Sequence, residues 1–188
     1  VIYTFAIGKA DCILLTDGTH RIMIDTGEKD NAKAILKYLK GLGITGLDLM
    51  VITHFDKDHM GGAKEILKEV PASLLILPDY EPDGKRLTKL LKIAEEDNIP
   101  CERITEDRTL TFGDLQLLIM ADRGEYKGSN DDDENEGDND QSLVLRAVYG
   151  EGSALFMGDA EDLRTREVLS SGVELTAAVL KLPHHGRY

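Results

Sequence analysis

The feature that most constrains this chain is an apolar, strand-like segment, Leu47–Thr53, that leads directly into a cluster of side chains able to bind metal. Four of the next six residues carry imidazole or carboxylate groups: His54, Asp56, Asp58 and His59. Gly61 and Gly62 follow, and glycine allows the close backbone approach that a helix beginning beside a crowded site requires. This order predicts a buried strand, a ligand loop and a helix.

Imidazole nitrogen and carboxylate oxygen together suit zinc, manganese or iron. One catalytic ion with an open coordination position needs about three protein ligands. A loop that offers four therefore indicates two ions side by side. A single His-x-Asp in a surface turn would need no such explanation, but this spacing between a strand and a Gly-Gly pair favours a metal site and a metal-dependent hydrolase.

The rest of the chain alternates strand and helix patterns, with no internal repeat and no linker. Apolar residues at helical spacing predict helices at Asn31–Leu42, Ala63–Val70, Lys85–Glu96 and Asp162–Ser170. Short apolar or β-branched runs predict strands at Val1–Phe5, Cys12–Thr16, Arg21–Asp25, Leu47–Thr53, Ser73–Leu77, Arg108–Thr111, Leu115–Met120, Ser142–Tyr149, Ser153–Met157 and Ala177–Lys181. We expect a single α/β domain with helices outside and strands packed between them.

A length of 188 residues with 41% hydrophobic content is enough for one well-buried domain. The net charge of −13 would repel polyanions from most of the surface. A nucleic-acid substrate would therefore have to be met by the metal site and by local Lys or Arg, whereas a small-molecule substrate fits the charge more easily. No apolar run approaches the ~20 residues of a membrane span, and no signal peptide is predicted. Cys12 and Cys101 are expected to be unpaired thiols.

Residues 122–140 are polar and strongly acidic. A calcium-binding loop is one interpretation, but a loop beginning at Asp131 has Glu136 where the sixth position requires glycine and Ser142 where the twelfth requires glutamate. We expect a flexible, solvated acidic loop.

Polar residues recur where other apolar strands end. Asp25-Thr26-Gly27, Asp159 and His184-His185-Gly186 all follow such strands, and strand ends that converge on one edge would build a pocket on rigid supports. Each alone has a simpler interpretation. Asp25-Thr26-Gly27 could be a turn, Asp159 a helix cap, and the two histidines a surface pair. Their occurrence together with the His54 cluster favours a shared functional role.

The ordered motifs resemble the metallo-β-lactamase superfamily of binuclear hydrolases. They are Asp25-Thr26-Gly27, Thr53-His54-x-Asp56-x-Asp58-His59-x-Gly61-Gly62, Gly158-Asp159 and Pro183-His184-His185-Gly186. Asp56, at the third position of the His-x-Asp-x-Asp-His motif where many members have histidine, narrows the resemblance. Together with Asn139-Asp140-x-Ser142-Leu143-Val144-Leu145 and the His-His-Gly ending, it resembles the branch that contains the hydrolase domain of ComEC-type competence DNA-uptake proteins. Bacterial phosphorylcholine esterases share the His-x-Asp-x-Asp-His form. The resemblance implies an αββα sandwich of two mixed sheets with helices on the outer faces.

The resemblance also implies two divalent metal ions, with zinc as the first expectation and manganese or iron as alternatives. In the family arrangement, the ligands of one ion would be His54 and Asp56, those of the other Asp58, His59 and His184, and Asp159 would bridge them. Asp25 matches the family's structural aspartate behind the first site. Asp58 is in addition a candidate base that orients water. His185 is a candidate for contact with substrate or for support of the ligands.

Three departures from the family pattern stand out. Many members have a further histidine ligand in the middle of the chain, but this sequence has no histidine between His59 and His184, where Asn139 or Asp140 could complete the first ion's shell. Gly8-Lys9-Ala10-Asp11 replaces the Gly-x-Gly-Asp commoner in the uptake-protein branch. The family continues through further strand and helix after His-His-Gly, so we expect residues 1–188 to be one such domain without its C-terminal part.

Two ions that share a water would lower its pKa from about 15.7 toward about 7 and supply metal-bound hydroxide at neutral pH. Phosphodiesters, such as DNA or phosphorylated envelope components, are the expected substrates because of the branch resemblance. A carboxylester or lactam hydrolase is one alternative. Another is a metal-binding or catalytically degenerate domain of a larger DNA-uptake or envelope protein.

Overall fold

The computed structural model describes residues 1–82, 84–124 and 139–186. Its internal contacts divide the chain into two compact units. The first comprises Val1–Leu77 and Glu81–Arg103, and the second comprises Pro78–Tyr80 and Ile104–Tyr188. Each unit is built on a sheet of its own.

The first unit carries a six-stranded sheet whose spatial order follows the sequence. Its strands are β1 (Ile2–Thr4), β2 (Ile13–Thr16), β3 (Arg21–Ile24), β4 (Leu49–Val51), β5 (Leu75–Pro78) and β6 (Cys101–Ile104). The first three strands pair antiparallel, whereas β3, β4 and β5 pair parallel, so the sheet is mixed. Parallel strands are buried on both faces. This burial explains the continuous apolar runs of β4 and β5, every residue of which is buried.

Helices follow β3, β4 and β5 in the first unit. They are α1 (Ala32–Gly41), the short α2 (Lys57–Met60), α3 (Ala63–Glu69) and α4 (Arg86–Glu96). The predictions for α1, α3 and α4 are confirmed, with ends that differ by at most one residue. The sequence did not predict α2 or β6. A helix of four residues is too short to show periodicity, and β6 is an edge strand in which only Ile104 is buried.

The second unit carries a five-stranded sheet in the order β11-β10-β9-β8-β7. Its strands are β7 (Arg108–Phe112), β8 (Leu115–Met120), β9 (Val144–Tyr149), β10 (Gly152–Phe156) and β11 (Val179–Lys181). All pairs are antiparallel except β10 with β11, which are joined through helix α5 (Asp162–Ser170). One core cluster of this unit packs α5 on its sheet through the side chains of Met120, Val144, Leu155, Met157, Ala160 and Val168.

The predicted α/β fold class is confirmed, with two mixed sheets and their helices. Cys12 is buried and Cys101 exposed, and both thiols are free, as predicted. Of the predicted acidic loop at 122–140, residues 125–138 lie outside the described residues. Within the described ranges, no helix combines the length and the apolar character that crossing a membrane requires.

Candidate functional site

The first group of candidate residues lies on residues 53–62, here called the His54 loop, which joins β4 to α3. Thr53 and His54 directly follow the buried strand and have no exposed surface themselves. Asp56 immediately precedes α2, and α2 carries Asp58 and the fully buried His59. The predicted order of strand, loop and helix is therefore confirmed, and the loop is folded back tightly enough to bury both imidazole rings.

Asp25, at the end of β3, fixes the orientation of the His59 ring. Its Oδ2 lies 2.8 Å from Nδ1 of His59 and also accepts a hydrogen bond from Oγ1 of Thr53, while its Oδ1 accepts one from the Thr53 backbone N–H. Burial alone would raise the pKa of the Asp25 carboxyl, but the positive charge of His59 when its ring is protonated, together with the hydrogen bonds from His59 and Thr53, outweighs burial, so the pKa lies below its ordinary value. Asp25 is thus a buried carboxylate that holds the proton of His59 on Nδ1 and leaves Nε2 as the metal-binding atom.

The same network sets the tautomer of His54. Because Oγ1 of Thr53 donates to Asp25, it accepts from Nδ1 of His54, which lies 3.2 Å away. Nε2 of His54 then faces Oδ2 of Asp56 at 3.9 Å, and Nε2 of His59 faces Oδ2 of Asp11 at 3.9 Å. Each contact therefore brings a nitrogen lone pair towards a carboxylate oxygen, an arrangement that a cation between them stabilises.

These distances fit shared metal ligands. Bonds of about 2.0–2.2 Å to Zn²⁺ place two ligand atoms of one ion roughly 3 to 4 Å apart. The two imidazole rings have centroids 4.0 Å apart and both are fully buried, so they offer two rigid nitrogen donors side by side. The donor chemistry of the first unit alone therefore suits zinc, manganese or iron.

Gly62 explains how the His54 loop can pack so closely on the end of β3. A Cβ atom on Gly62 would collide with the carbonyl oxygen of Thr26. In return, Thr26 donates from both its backbone N–H and its Oγ1 to the carbonyl oxygen of His59, at 2.6 and 2.8 Å. The Asp25-Thr26-Gly27 motif therefore holds the loop that carries the histidines in place by hydrogen bonds to its backbone.

The second group lies in the second unit, where β10 and β11 end. Asp159 follows β10 and is buried, with 3% of its surface exposed. Its Oδ1 lies 3.3 Å from Nζ of Lys181 and its Oδ2 lies 3.2 Å from Nε2 of His185. Lys181 also donates to the carbonyl oxygen of Gly158 at 2.7 Å, which anchors the ammonium beside the carboxylate.

The two histidines after β11 make different contacts. Nδ1 of His184 lies 3.0 Å from Oε1 of Glu161, and the same oxygen accepts a hydrogen bond of 2.8 Å from Nδ2 of Asn139. Both histidines have positive φ, 44° and 54°, a backbone conformation that is uncommon outside glycine and that occurs at functional sites. A carboxylate that holds Nδ1 of a histidine is the usual support of a metal ligand that binds through Nε2.

A cavity of about 300 Å³ lies beside the His54 loop within the first unit. Its lining contains five basic residues, Lys29, Lys57, Lys64, Arg86 and Lys89, with three acidic ones, Glu28, Asp30 and Glu65. Lys57 pairs with Glu28 at 3.4 Å. In a chain of net charge −13, this wall is a local concentration of positive charge.

Comparison with known protein families decides the relationship. The family model for the metallo-beta-lactamase superfamily matches residues 7–187. The chain belongs to this superfamily. Its members are metal-dependent, and most are hydrolases. The histidine and carboxylate donors of this chain are therefore of the kind that the metal chemistry of the family uses.

Curated superfamily relatives include competence proteins. ComE operon protein 3 of Bacillus subtilis is 29% identical over 182 residues, which cover 88% of this chain and 22% of that protein. Recombination protein 2 of Haemophilus influenzae is 27% identical, over 97% of this chain and 21% of its own length. The chain therefore spans about a fifth of these relatives. Among solved structures, the metallo-β-lactamase MIM-1 of Novosphingobium pentaromativorans matches with a TM-score of 0.60 at 17% identity, over 93% of this chain and 70% of its own. This likeness supports the fold.

The structure places every predicted site residue in one of the two groups, and it adds three that the sequence interpretation passed over. Asp11 faces His59, Lys181 pairs with Asp159, and Glu161 contacts His184. Asp11 ends the Gly8-Lys9-Ala10-Asp11 segment, which corresponds to a family motif, and that motif is the sequence signal that points to it. Glu161 and Lys181 stand within three residues of predicted ligands, but charged residues at such spacing are too common to be informative.

Proposed function

We propose that the chain is a metal-dependent hydrolase that binds divalent ions and cleaves phosphate esters, with phosphodiesters as the preferred substrates. The proposed ligands are His54, Asp56, Asp58 and His59 in the first group and Asp159 and His184 in the second. The observation that carries the proposal is the pair of buried imidazoles whose Nε2 atoms each face a carboxylate at 3.9 Å. Two metal ions, zinc first, are the cofactors that these donors suit.

When bound, the ions would supply the nucleophile by lowering the pKa of a water and would stabilise negative charge on the substrate. The chain's own residues then have separate tasks. Asp25 and Thr53 hold the imidazole rings in one tautomer and one orientation. Asp58, partly exposed at the start of α2, is the proposed base that orients water, and His185 is the proposed contact for the substrate.

A phosphate-bearing substrate is favoured by the positive charge beside the His54 loop, in a cavity lined by residues of that loop but by none of the proposed metal ligands. Lys57, within that loop, lines the cavity together with Lys29, Lys64, Arg86 and Lys89. A neutral ester or lactam would gain nothing from this wall, whereas a phosphodiester would be attracted to it. The kinship with competence proteins supports the same substrate class.

The test is the metal content per chain by plasma emission spectrometry, paired with cleavage of bis(p-nitrophenyl) phosphate and p-nitrophenyl acetate by the same zinc- or manganese-loaded sample. We expect two metals and phosphodiester turnover.

His54→Ala and Asp159→Ala should each abolish turnover and lower the metal content. Their matched controls, His20→Ala and Asp162→Ala, change the same residue types in the turn before β3 and on the exposed face of α5, and should leave both unchanged. Undiminished cleavage in His54→Ala and Asp159→Ala would refute the assignment, and turnover of the acetate alone would refute the substrate class.

A second candidate function is metal binding without turnover, as part of a larger protein. It is favoured by the lack of any histidine between His59 and His184, where many superfamily members have a ligand. It predicts fewer than two metals per chain and no cleavage with zinc, manganese or magnesium. The same pair of measurements therefore separates the two candidates.

A further inference from the structure

The segment Asn139–Ser142 has no place in the proposed chemistry, although its sequence is one of the family motifs. In the structure it forms hydrogen bonds to the loop that follows Asp159. Oδ1 of Asp140 accepts the backbone N–H groups of Glu161 and Arg164, at 3.0 and 3.1 Å. Asp140 thus caps the first turn of α5 from outside the helix, which is a structural task for this carboxylate.

Ser142 is the link between this segment and Asp159. The side chain is fully buried, and its Oγ accepts the backbone N–H of Asp159 at 3.3 Å. Its carbonyl oxygen accepts a hydrogen bond of 2.9 Å from Nε of Arg164. The position of Asp159 therefore depends on Ser142, and that of Ser142 on Arg164.

Arg164 is held on every side. Only 2% of its surface is exposed. Besides Ser142, its guanidinium contacts Oε1 of Glu167 at 2.6 Å and donates to the carbonyl oxygen of Met120 at 2.7 Å. A buried guanidinium is costly unless its planar array of donors is satisfied, and here three partners from the strand end of β8, from the 139–142 segment and from α5 satisfy it. Such a group has little freedom to move and can serve as a fixed reference point.

We infer that Arg164 is a positioning residue for the second group: it fixes Ser142, and through Ser142 it fixes the backbone of Asp159. A second set of hydrogen bonds from the same segment acts on His184. Asp140 and Asn139 fix Glu161, and Glu161 orients His184 through Nδ1. The inference rests on the proposed function in taking Asp159 and His184 as metal ligands. It assigns to the Asn139–Ser142 motif the support of ligands, in place of metal binding by Asp140.

The test compares Ser142→Ala and Arg164→Lys with the unaltered chain. Zinc binding to metal-free protein is followed by titration calorimetry, and ligand geometry by the visible absorption of the cobalt-loaded protein. Loss of a group that orients a ligand typically weakens metal binding about 10- to 100-fold. We expect such a loss in both variants, together with a changed cobalt spectrum. Because both act through one chain of bonds, the double variant should be little worse than Ser142→Ala alone.

Val168→Ala is the matched control, because it removes buried apolar groups from α5 one turn beyond Arg164 and touches none of these hydrogen bonds. It should lower the unfolding temperature while leaving zinc affinity and the cobalt spectrum unchanged. If Val168→Ala weakens zinc binding as much as the other two, affinity follows general stability and the inference is wrong. Normal zinc binding by Ser142→Ala, in a chain where Asp159→Ala binds poorly, refutes the inference alone. Normal zinc binding by Asp159→Ala refutes the proposed function itself.

Discussion

The two groups of candidate residues are held in different ways. The first lies at the centre of a sheet, where Thr53, His54 and His59 have no exposed surface. Thr53 and His59 are hydrogen-bonded to Asp25 at the end of the neighbouring parallel strand, and His54 contacts Thr53. The second lies where β10 and the edge strand β11 end; its Asp159 is buried, but the side chains of His184 and His185 are 33% and 16% exposed. The first group is therefore organised by the core, whereas the second depends on hydrogen bonds from a few loop residues.

Because of this difference, we expect the first group to be the more rigid and the second to be the more accessible to solvent. Ligands built into a core keep their geometry without the metal, because any movement would expose buried polar groups. Ligands on an edge strand can adjust or open, as loops at substrate sites often must. We therefore expect the first group to be formed before metal binds and the second to gain order from it.

The largest expected effect is on the metal-free protein. Asp25→Ala would leave the donors of Thr53 and His59 buried without their acceptor, so the free energy of unfolding should fall by about 3 to 5 kcal/mol. Asp159→Ala should cost less, about 1 to 3 kcal/mol, because Lys181 keeps its hydrogen bond to the carbonyl oxygen of Gly158 and both Lys181 and His185 retain some exposed surface. Urea unfolding of both metal-free variants measures the difference.

Asp25→Asn is the control for this comparison. It keeps the shape and the acceptor for the Thr53 N–H, but its amide cannot accept from His59 if the oxygen faces Thr53. An intermediate loss of stability is expected. Equal losses in Asp25→Ala and Asp159→Ala would show that the two groups are equally built into the core and do not differ in rigidity.

The first group was the part of the site most predictable from the sequence. Its ligands are contiguous, and a run such as Leu49–Val51 is recognisable because both faces of a parallel strand are buried. Asp25 as a support and the strand, loop and helix order were also anticipated. The bonds of Arg164 were not, because a single charged residue on a predicted helix usually faces solvent and nothing local shows that it is buried. The short α2 and the edge strand β6 lack the periodicity that sequence interpretation uses.

The next largest effect is that of metal binding on the exchange of backbone amide protons with solvent. The amide of His184 donates to the carbonyl oxygen of Gly158 at a long 3.3 Å, whereas the amides of Asp25 and Ile52 form hydrogen bonds of 2.8 and 3.0 Å in the first unit. In metal-free protein the His184 amide should therefore exchange with solvent much faster than the other two. Zinc at about 100 times its dissociation constant stabilises the bound form by about 2.7 kcal/mol, which corresponds to roughly 100-fold slower exchange at His184.

Hydrogen exchange followed by NMR measures these rates, and addition of a chelator should restore the fast exchange at His184. The amide of Thr19, in the turn between β2 and β3, is an internal control that zinc should leave unchanged. If zinc does not slow His184, the second group does not take part in metal binding. If His184 is already as protected as Ile52 without zinc, the second group is as rigid as the first.

The smallest expected effect concerns the charge around the first group. Lys64 on α3 and Lys89 on α4 line the cavity beside the His54 loop. Each partly exposed cation contributes about 0.2 to 1 kcal/mol to binding a phosphate. Lys64→Gln with Lys89→Gln should therefore raise the KM for an oligothymidylate about two- to thirtyfold and leave kcat unchanged, since neither residue holds a ligand.

Lys68→Gln with Lys92→Gln is the matched control, because it removes the same charge from the same two helices at positions outside the cavity. If the cavity holds substrate phosphates, only the first pair should reduce the slope of log KM against log salt, by about one for each phosphate that a lysine no longer binds. If both pairs raise KM equally, the effect comes from the net charge of the chain. In that case the cations beside the first group attract the substrate only as part of the overall field, and the two groups differ in rigidity but not in their hold on the substrate.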